Sequence, residues 1–255
     1  MRPLAGDWDQ ALQGFGVASA PLVHRREMQR RAESKFVMPV ADALALLPAL
    51  QRDYAVLPAG DAVLAAYRTL YFDTADLAFF HAHRRGRRVR HKVRIRHYPD
   101  RAVSFLEVKT RLGENLTAKA RRPRAHGDST LHPDDVAFVR ANGATSENLF
   151  PQVWTDFRRV TLLGTELDER VTVDFDLRLT GSRRACSLAD LAVVEVKQPR
   201  PDRGSVAMEA LRRAGWKEGW ASKYCLGIAM TGPAMEEQWL RPELRSLQEG
   251  VGCPR

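Results

Sequence analysis

The 255-residue chain carries 40 Lys+Arg against 31 Asp+Glu, giving a formal net charge of +9 and a pI near 9.9. That balance points to a polyanionic partner (nucleic acid, a phosphate compound or an acidic membrane surface) without choosing among them. No apolar run approaches the roughly 20 residues of a membrane span, and Cys186, Cys225 and Cys253 are odd in number without metal-type spacing, which suits a reducing compartment.

Residues 1–25 lack a clear period and read as a loosely attached lead-in. Acidic residues stand there where a signal peptide would have its apolar centre, which predicts a cytoplasmic protein. Residues 31–37 then alternate, with Arg31, Glu33 and Lys35 on one face of a strand. Residues 39–47 read as a short helix with Pro39 near its first turn. Residues 67–74 form an aromatic and β-branched strand, and 76–83 a short helix or loop before the basic run 84–88. That run reads as a solvated loop, or as a collector of polyanion at the mouth of a site.

The stretch 90–109 is the most informative. Arg94 and Arg96 share one strand face about 7 Å apart, at ~3.3 Å rise per residue. Pro99, Asp100 and Arg101 signal a turn. Glu107 and Lys109 then share a face, with Leu106 and Val108 on the other. Residues 115–121 alternate again, placing Thr117, Lys119 and Arg121 together. A helix is expected over 132–141, stopped by Asn142 and Gly143.

Two further strands, 153–163 and 169–177, carry Arg159 and then Arg170, Thr172 and Asp174. Residues 191–197 are nearly all apolar until Glu195 and Lys197. A helix over 205–214, a last strand over 222–228 and a terminal helix over 233–248 complete the chain. About eight strands of this kind close naturally into a barrel able to hold one ligand. Periodicity leaves open whether the charged face lies outside or inside. An inside face would line a tunnel with cations and carboxylates, which is costly unless a polyanion and a metal occupy it.

Six motifs stand in order: Arg31, Glu33, Lys35 and Phe36; Tyr71 to Thr74; Arg94, Arg96 and Tyr98; Phe105 to Lys109; Val194 to Lys197; and Ser222 to Tyr224. In this order and spacing, over roughly residues 25–230, the chain resembles the VTC domain, the polyphosphate polymerase branch of the CYTH-like triphosphate tunnel metalloenzymes. The resemblance implies an α+β fold, an eight-stranded antiparallel β-barrel (the triphosphate tunnel) with helices packed on the outside. The tunnel domain would span 26–230, followed by a C-terminal helix and tail over 231–255.

It further implies a phosphotransferase that adds the γ-phosphate of ATP to inorganic polyphosphate with a divalent metal, Mn²⁺ or Mg²⁺. Carried over residue by residue, Arg94, Arg96, Lys109 and Lys223 would act on the reacting phosphates. Lys35, Lys119, Arg159, Arg170 and Lys197 would bind the rest of the chain. Glu195 would ligate the metal, with Glu33 and Glu107 as further acidic residues. Arg31 replaces the first Glu of the superfamily's Glu-x-Glu-x-Lys motif, which favours one metal over two. Phe157 stands where an aromatic hydroxyl is expected.

Phosphoryl transfer needs positioning and charge neutralisation more than covalent help. Arginine forks grip two phosphate oxygens, while lysines act as mobile point charges. An ionised phosphate acceptor needs no general base. The rival readings are a triphosphatase of the same fold, which would position water, and a non-catalytic polyphosphate- or RNA-binding module. Nucleic acid is not the expected partner, because the aromatics fall at core positions rather than on an exposed platform.

Overall fold

The computed structural model describes residues 5–26, 32–60, 62–113, 117–144, 148–219 and 222–232. In chain order its elements are α1 (Ala5–Leu12), β1 (Gly16–Val17), α2 (Ala20–Arg25), β2 (Ala32–Pro39), α3 (Val40–Leu50) and β3 (Tyr54–Val56). There follow β4 (Ala65–Asp73), α4 (Ala78–Arg84), β5 (Arg90–Tyr98), β6 (Val103–Arg111), β7 (Thr117–Arg124) and α5 (Pro133–Ala141). The chain continues through β8 (Phe150–Gly164), β9 (Arg170–Gly181), β10 (Ala185–Leu188), β11 (Leu191–Gln198), α6 (Val206–Arg213) and α7 (Lys223–Thr231).

Eight strands form one hydrogen-bonded path, β2-β11-β9-β8-β4-β5-β6-β7, and every adjacent pair is antiparallel. The fold is α+β, an open, tunnel-like barrel. β2 and β7 are its edges, with no ladder between them among the described residues. The path nevertheless curls until its ends approach: Lys109 Nζ on β6 lies 3.5 Å from Glu33 Oε2 on β2, although five strands separate them along the sheet. The register shifts where Tyr71 and Phe72 of β4 face Val153 and Pro151 of β8, with Gln152 as the extra residue, and again between Asp156 and Arg158 of β8, where β9 has one residue more; both add local bend and twist.

Burial settles which face turns inward. The convex face is apolar. Phe36, Met38, Val160, Leu162, Val171, Val173, Val194 and Val196 pack beneath α1, α3 and α6. Leu70, Val93, Ile95, Leu106 and Val108 pack with Phe79 of α4 and Val139 of α5. Burying each such aliphatic side chain contributes ~1.5–3 kcal/mol, so the helices hold the sheet in its curl from outside. The alternate residues are then left to the concave face, and these are the charged ones.

Two readings of the sequence change, and a third is narrowed. The lead-in is folded into the core, since Trp8 of α1 is 1% exposed and stacks on Phe175 of β9 at 4.1 Å. Of the segment 76–83, expected as a short helix or loop, residues 78–83 belong to the helix α4, begun by the buried carboxylate of Asp73, which accepts hydrogen bonds from the backbone N–H groups of Phe79 and Phe80, each at 2.9 Å. The segment read as a last strand over 222–228 is the helix α7, with Ser222 as its N-cap accepting from the Cys225 N–H. The expected terminal helix over 233–248 lies outside the described residues, as does Arg31.

Unlike the other helices, α7 lies on the concave side. Tyr224, Cys225 and Ile228 pack with Tyr71 and Val153, and Leu226 and Met230 pack against a cluster holding Leu177 and Leu179. Thus α7 fills part of the interior with apolar side chains and brings its N-terminus to the charged part. No helix among the described residues is long and apolar enough to cross a membrane.

Candidate phosphate-binding tunnel

Register puts the charged residues together row by row. Lys35 pairs with Glu195, and Glu195 with Thr172, while Glu33 pairs with Lys197, and Lys197 with Arg170. On the opposite wall Tyr71 pairs with Arg94, Arg94 with Glu107, and Lys92 with Lys109, which in turn pairs with Lys119. Arg159 of β8 pairs with Asp174 of β9. Because side chains alternate along a strand, all of these project to one face.

Three carboxylate centres organise the cations. Glu107, 1% exposed, accepts from Arg94 through Nε at 2.7 Å and Nη2 at 2.6 Å, and its other oxygen lies 2.5 Å from Lys119 Nζ. Asp174 is bidentate with Arg159, one of its bonds spanning 2.7 Å, and also accepts from Lys223 at the start of α7. Glu195 and Glu33 share Lys35, whose Nζ lies 3.5 Å from the first and 3.9 Å from the second. Each carboxylate of this last pair holds a second ammonium: Lys197 at 2.7 Å from Glu195, and Lys109 at 3.5 Å from Glu33.

The electrostatics follow from that crowding. Burial and the adjacent Glu195 push the Glu33 carboxyl up, but Lys109 and Lys35 prevail and hold it below the usual range. Burial likewise opposes ionisation of Glu195, yet Lys197, Lys35 and Arg159 keep it well below that range. Glu107 and Asp174 are lowered in the same way, the first by Arg94, Arg96 and Lys119 and the second by Arg159 and Lys223, each against the effect of burial. Burial takes Lys197 and Lys92 down to about 8, and also lowers Lys109 and Lys119 despite their carboxylate partners. For Lys197, Lys109 and Lys119 the carboxylate partners do not fully offset the cost of burial. Desolvated ammonium groups of this kind gain most from an incoming polyanion.

The residues expected from the sequence divide by how they are held. Lys35, Arg94, Lys109, Lys119, Arg159, Lys197 and Lys223 converge on the ion pairs just described. Arg96 is committed to the wall, its Nε donating to Thr69 Oγ1 at 3.2 Å and its guanidinium lying over Tyr67. Arg170 is on the concave face one row beyond Thr172. Glu107 is enclosed by Arg94 and Lys119 and serves to orient them. Phe157, where a hydroxyl was expected, stacks on Tyr67 at 5.0 Å, and Arg159 lies over both rings.

Sequence reasoning missed Lys92, Tyr71 and the role of Asp174. Lys92 donates to Ser222 Oγ at 2.8 Å, and Tyr71 accepts from Arg94 Nη1 at 3.1 Å. Lys92 was legible, since it precedes Arg94 by two on the same alternation.

Glu33 and Glu195 form the donor set a hard divalent cation would use. Two carboxylate groups flank one cationic atom, Lys35 Nζ, and a dication placed there would take carboxylate, phosphate and water oxygens. No group of three or more His, Cys, Asp or Glu side chains suited to a metal occurs among the described residues. The chemistry therefore fits an ion shared with a phosphate substrate.

Fold and site together define an antiparallel barrel whose concave face is lined by cations held on buried carboxylates. The family profile of the VTC domain matches residues 30–132 and 136–231, and the chain belongs to this family. No curated protein matches the sequence. Among solved structures, PH1012 from Pyrococcus horikoshii OT3 shares 15% identity over 74% of this chain and 92% of its own, with a TM-score of 0.43. HpAC1 from Hippeastrum, for which a dominant triphosphatase activity is recorded, shares 17% over 79% and 96%, with a TM-score of 0.48. PH1819 from Pyrococcus horikoshii OT3 shares 10% over 76% and 97%, with a TM-score of 0.43. At these levels none of the three bears on function.

Proposed function

We propose that this protein is a metal-dependent polyphosphate polymerase that transfers the γ-phosphate of ATP to a growing inorganic polyphosphate chain and releases ADP. The observation that carries the reading is the state of the interior carboxylates. Glu33, Glu107, Asp174 and Glu195 are each bound to two cations and shifted towards ionisation. Carboxylates so held are poor proton acceptors for water. A terminal phosphate of polyphosphate is already ionised and needs none.

In this reading Lys35, Lys109 and Lys197 surround the reacting phosphates beside Glu33 and Glu195, which would hold the Mn²⁺ or Mg²⁺. When bound, that ion would neutralise charge on the transferred group. Arg94, fixed by Glu107 and Tyr71, and Arg159, fixed by Asp174, would present guanidinium edges to successive phosphates. Lys119, 42% exposed, Lys223 and Arg170 would extend the grip along the chain. Both described cysteines are free thiols, in keeping with a reducing cytoplasm.

The test is incubation with ATP and Mn²⁺ or Mg²⁺, with and without a short polyphosphate primer. Products would be sized on a gel, and ADP and orthophosphate assayed. Chains lengthening with stoichiometric ADP are expected. Orthophosphate without chains would replace the polymerase by a triphosphatase, and no turnover with either metal would leave a binding module.

A further inference from the structure

The loop joining α4 to β5 is the most cationic stretch of the chain. No acidic residue occurs between Asp76 and Asp100, while Arg84, Arg85, Arg87, Arg88, Arg90 and Lys92 fall within it. Arg85, Arg87 and Arg88 are exposed. Arg87, Arg88 and Arg90 make no ion pair among the described residues. The contacts in this region go instead to backbone carbonyls: Arg90 Nη1 donates to Arg87 O at 3.2 Å, Arg88 Nε to Leu112 O at 3.5 Å and Arg111 Nε to Gly113 O at 2.9 Å. Such bonds fix the Arg88 and Arg90 guanidinium groups without neutralising them.

This loop is continuous with the tunnel wall. Arg94, Lys92 and Arg90 lie on one face of β5, each about 6.6 Å from the next. Lys109 and Arg111 pair with Lys92 and Arg90 on β6. Outward from the Glu33–Lys109 ion pair, a double row of cations therefore leads to the rim and into the arginine loop. Burial and the nearby Arg111 both lower Arg90. A negative charge at this rim would relieve that repulsion.

From this continuity we infer that Arg87, Arg88, Arg90 and Arg111 form a landing site for the portion of a polyphosphate chain outside the tunnel. The inference rests on the proposed polyphosphate reading and extends it. Residues in the interior would bind any triphosphate group, whereas the rim would engage only chains long enough to reach it. Single-stranded RNA is the competing polyanion. It gains from aromatic platforms, and neither 84–90 nor 111–113 contains an aromatic residue.

The test compares the wild type with the Arg87→Glu/Arg88→Glu double variant by titration with tripolyphosphate and with long-chain polyphosphate at several salt concentrations. The milder Arg87→Gln/Arg88→Gln pair is measured beside it. We expect long-chain affinity to fall about tenfold in the Glu variant and less in the Gln variant. Tripolyphosphate affinity should stay unchanged, and the long-chain salt slope should become shallower by about one to two. Unchanged long-chain affinity, or an equal loss for both ligands, would overturn the inference. So would single-stranded RNA that displaces long-chain polyphosphate as well as polyphosphate itself does. Failure of the wild type to bind tripolyphosphate would overturn the tunnel reading, and the landing site with it.

Discussion

Glu195 is held between Lys35 and Lys197 in a strand whose Ala192, Val194 and Val196 side chains point into the apolar core. Its replacement by Gln keeps the shape and removes the charge. With its reading as a metal ligand and lysine anchor, Glu195→Gln should lower kcat/KM by about 10²–10³-fold, the usual cost of losing one electrostatic stabiliser of a transferring group. Steady-state ADP release checks this, and a loss below threefold would remove Glu195 from the site. Asp174 has a different part, since it neutralises Arg159 and Lys223. Asp174→Asn should cost ~3–5 kcal/mol of stability, because two buried cations lose their partner. Added tripolyphosphate should restore part of it, as read by urea unfolding with and without the ligand. A variant as stable as the wild type would mean that the interior tolerates unpaired cations unaided.

Helix α7 determines how much of the barrel is open. It approaches β8 so closely that a Cβ on Gly227 would stand 2.7 Å from Val153 Cγ2, and the stiff β-branched neighbour cannot turn aside. Gly227→Ala should therefore destabilise the fold by ~1–3 kcal/mol, measurable as a fall in Tm. An unchanged Tm would show that α7 is only loosely seated. This helix was also where sequence reading failed. The run from Tyr224 to Ile228 is rich in strand-forming types and buried on nearly all sides, so no polar face marks a helical period. Only Ser222, an N-cap residue, signalled the start. The β5–β6 hairpin was legible for the opposite reason. One of its faces is apolar and the other charged, and that alternation fixes the register from Arg90–Arg111 to Tyr98–Val103. Pairing of β2 with β11 brings Lys35 to Glu195 across most of the chain. Such a non-local choice leaves no mark in either strand, and the sequence reading did not contain it.

For the whole molecule, excess positive charge in a partly desolvated interior ties stability and binding to pH in opposite directions. Lys92 is brought to about 8 chiefly by burial, and also by Lys35 and Lys109, against Cys225 and Tyr71. Tyr71 is brought to about 8 by Arg94, Arg96 and Lys92, against burial. Both therefore lose a proton in the folded chain before they do in the unfolded chain. From about pH 8 to 9 the unfolded state binds more protons at these groups, so stability of the free protein should rise across that window. Above about 9 the raised thiol of Cys225 works the other way. Phosphate binding should weaken over the same window, because deprotonation of Lys92 removes a positive charge and that of Tyr71 adds a negative one. Melting curves at pH 7.5 and 9 should thus show the stabilisation given by tripolyphosphate shrinking while the free protein does not soften. A constant ligand effect would place the phosphate away from Lys92 and Tyr71.

The most direct single measurement is a crystal structure with tripolyphosphate and Mn²⁺. We expect the chain along the concave face, its oxygens within hydrogen-bond reach of Lys35, Arg94, Lys109, Arg159 and Lys197, and the metal between Glu195, Glu33 and a phosphate oxygen. Phosphate bound only on the convex surface, with the ion pairs of the interior intact, would contradict the tunnel as the seat of activity.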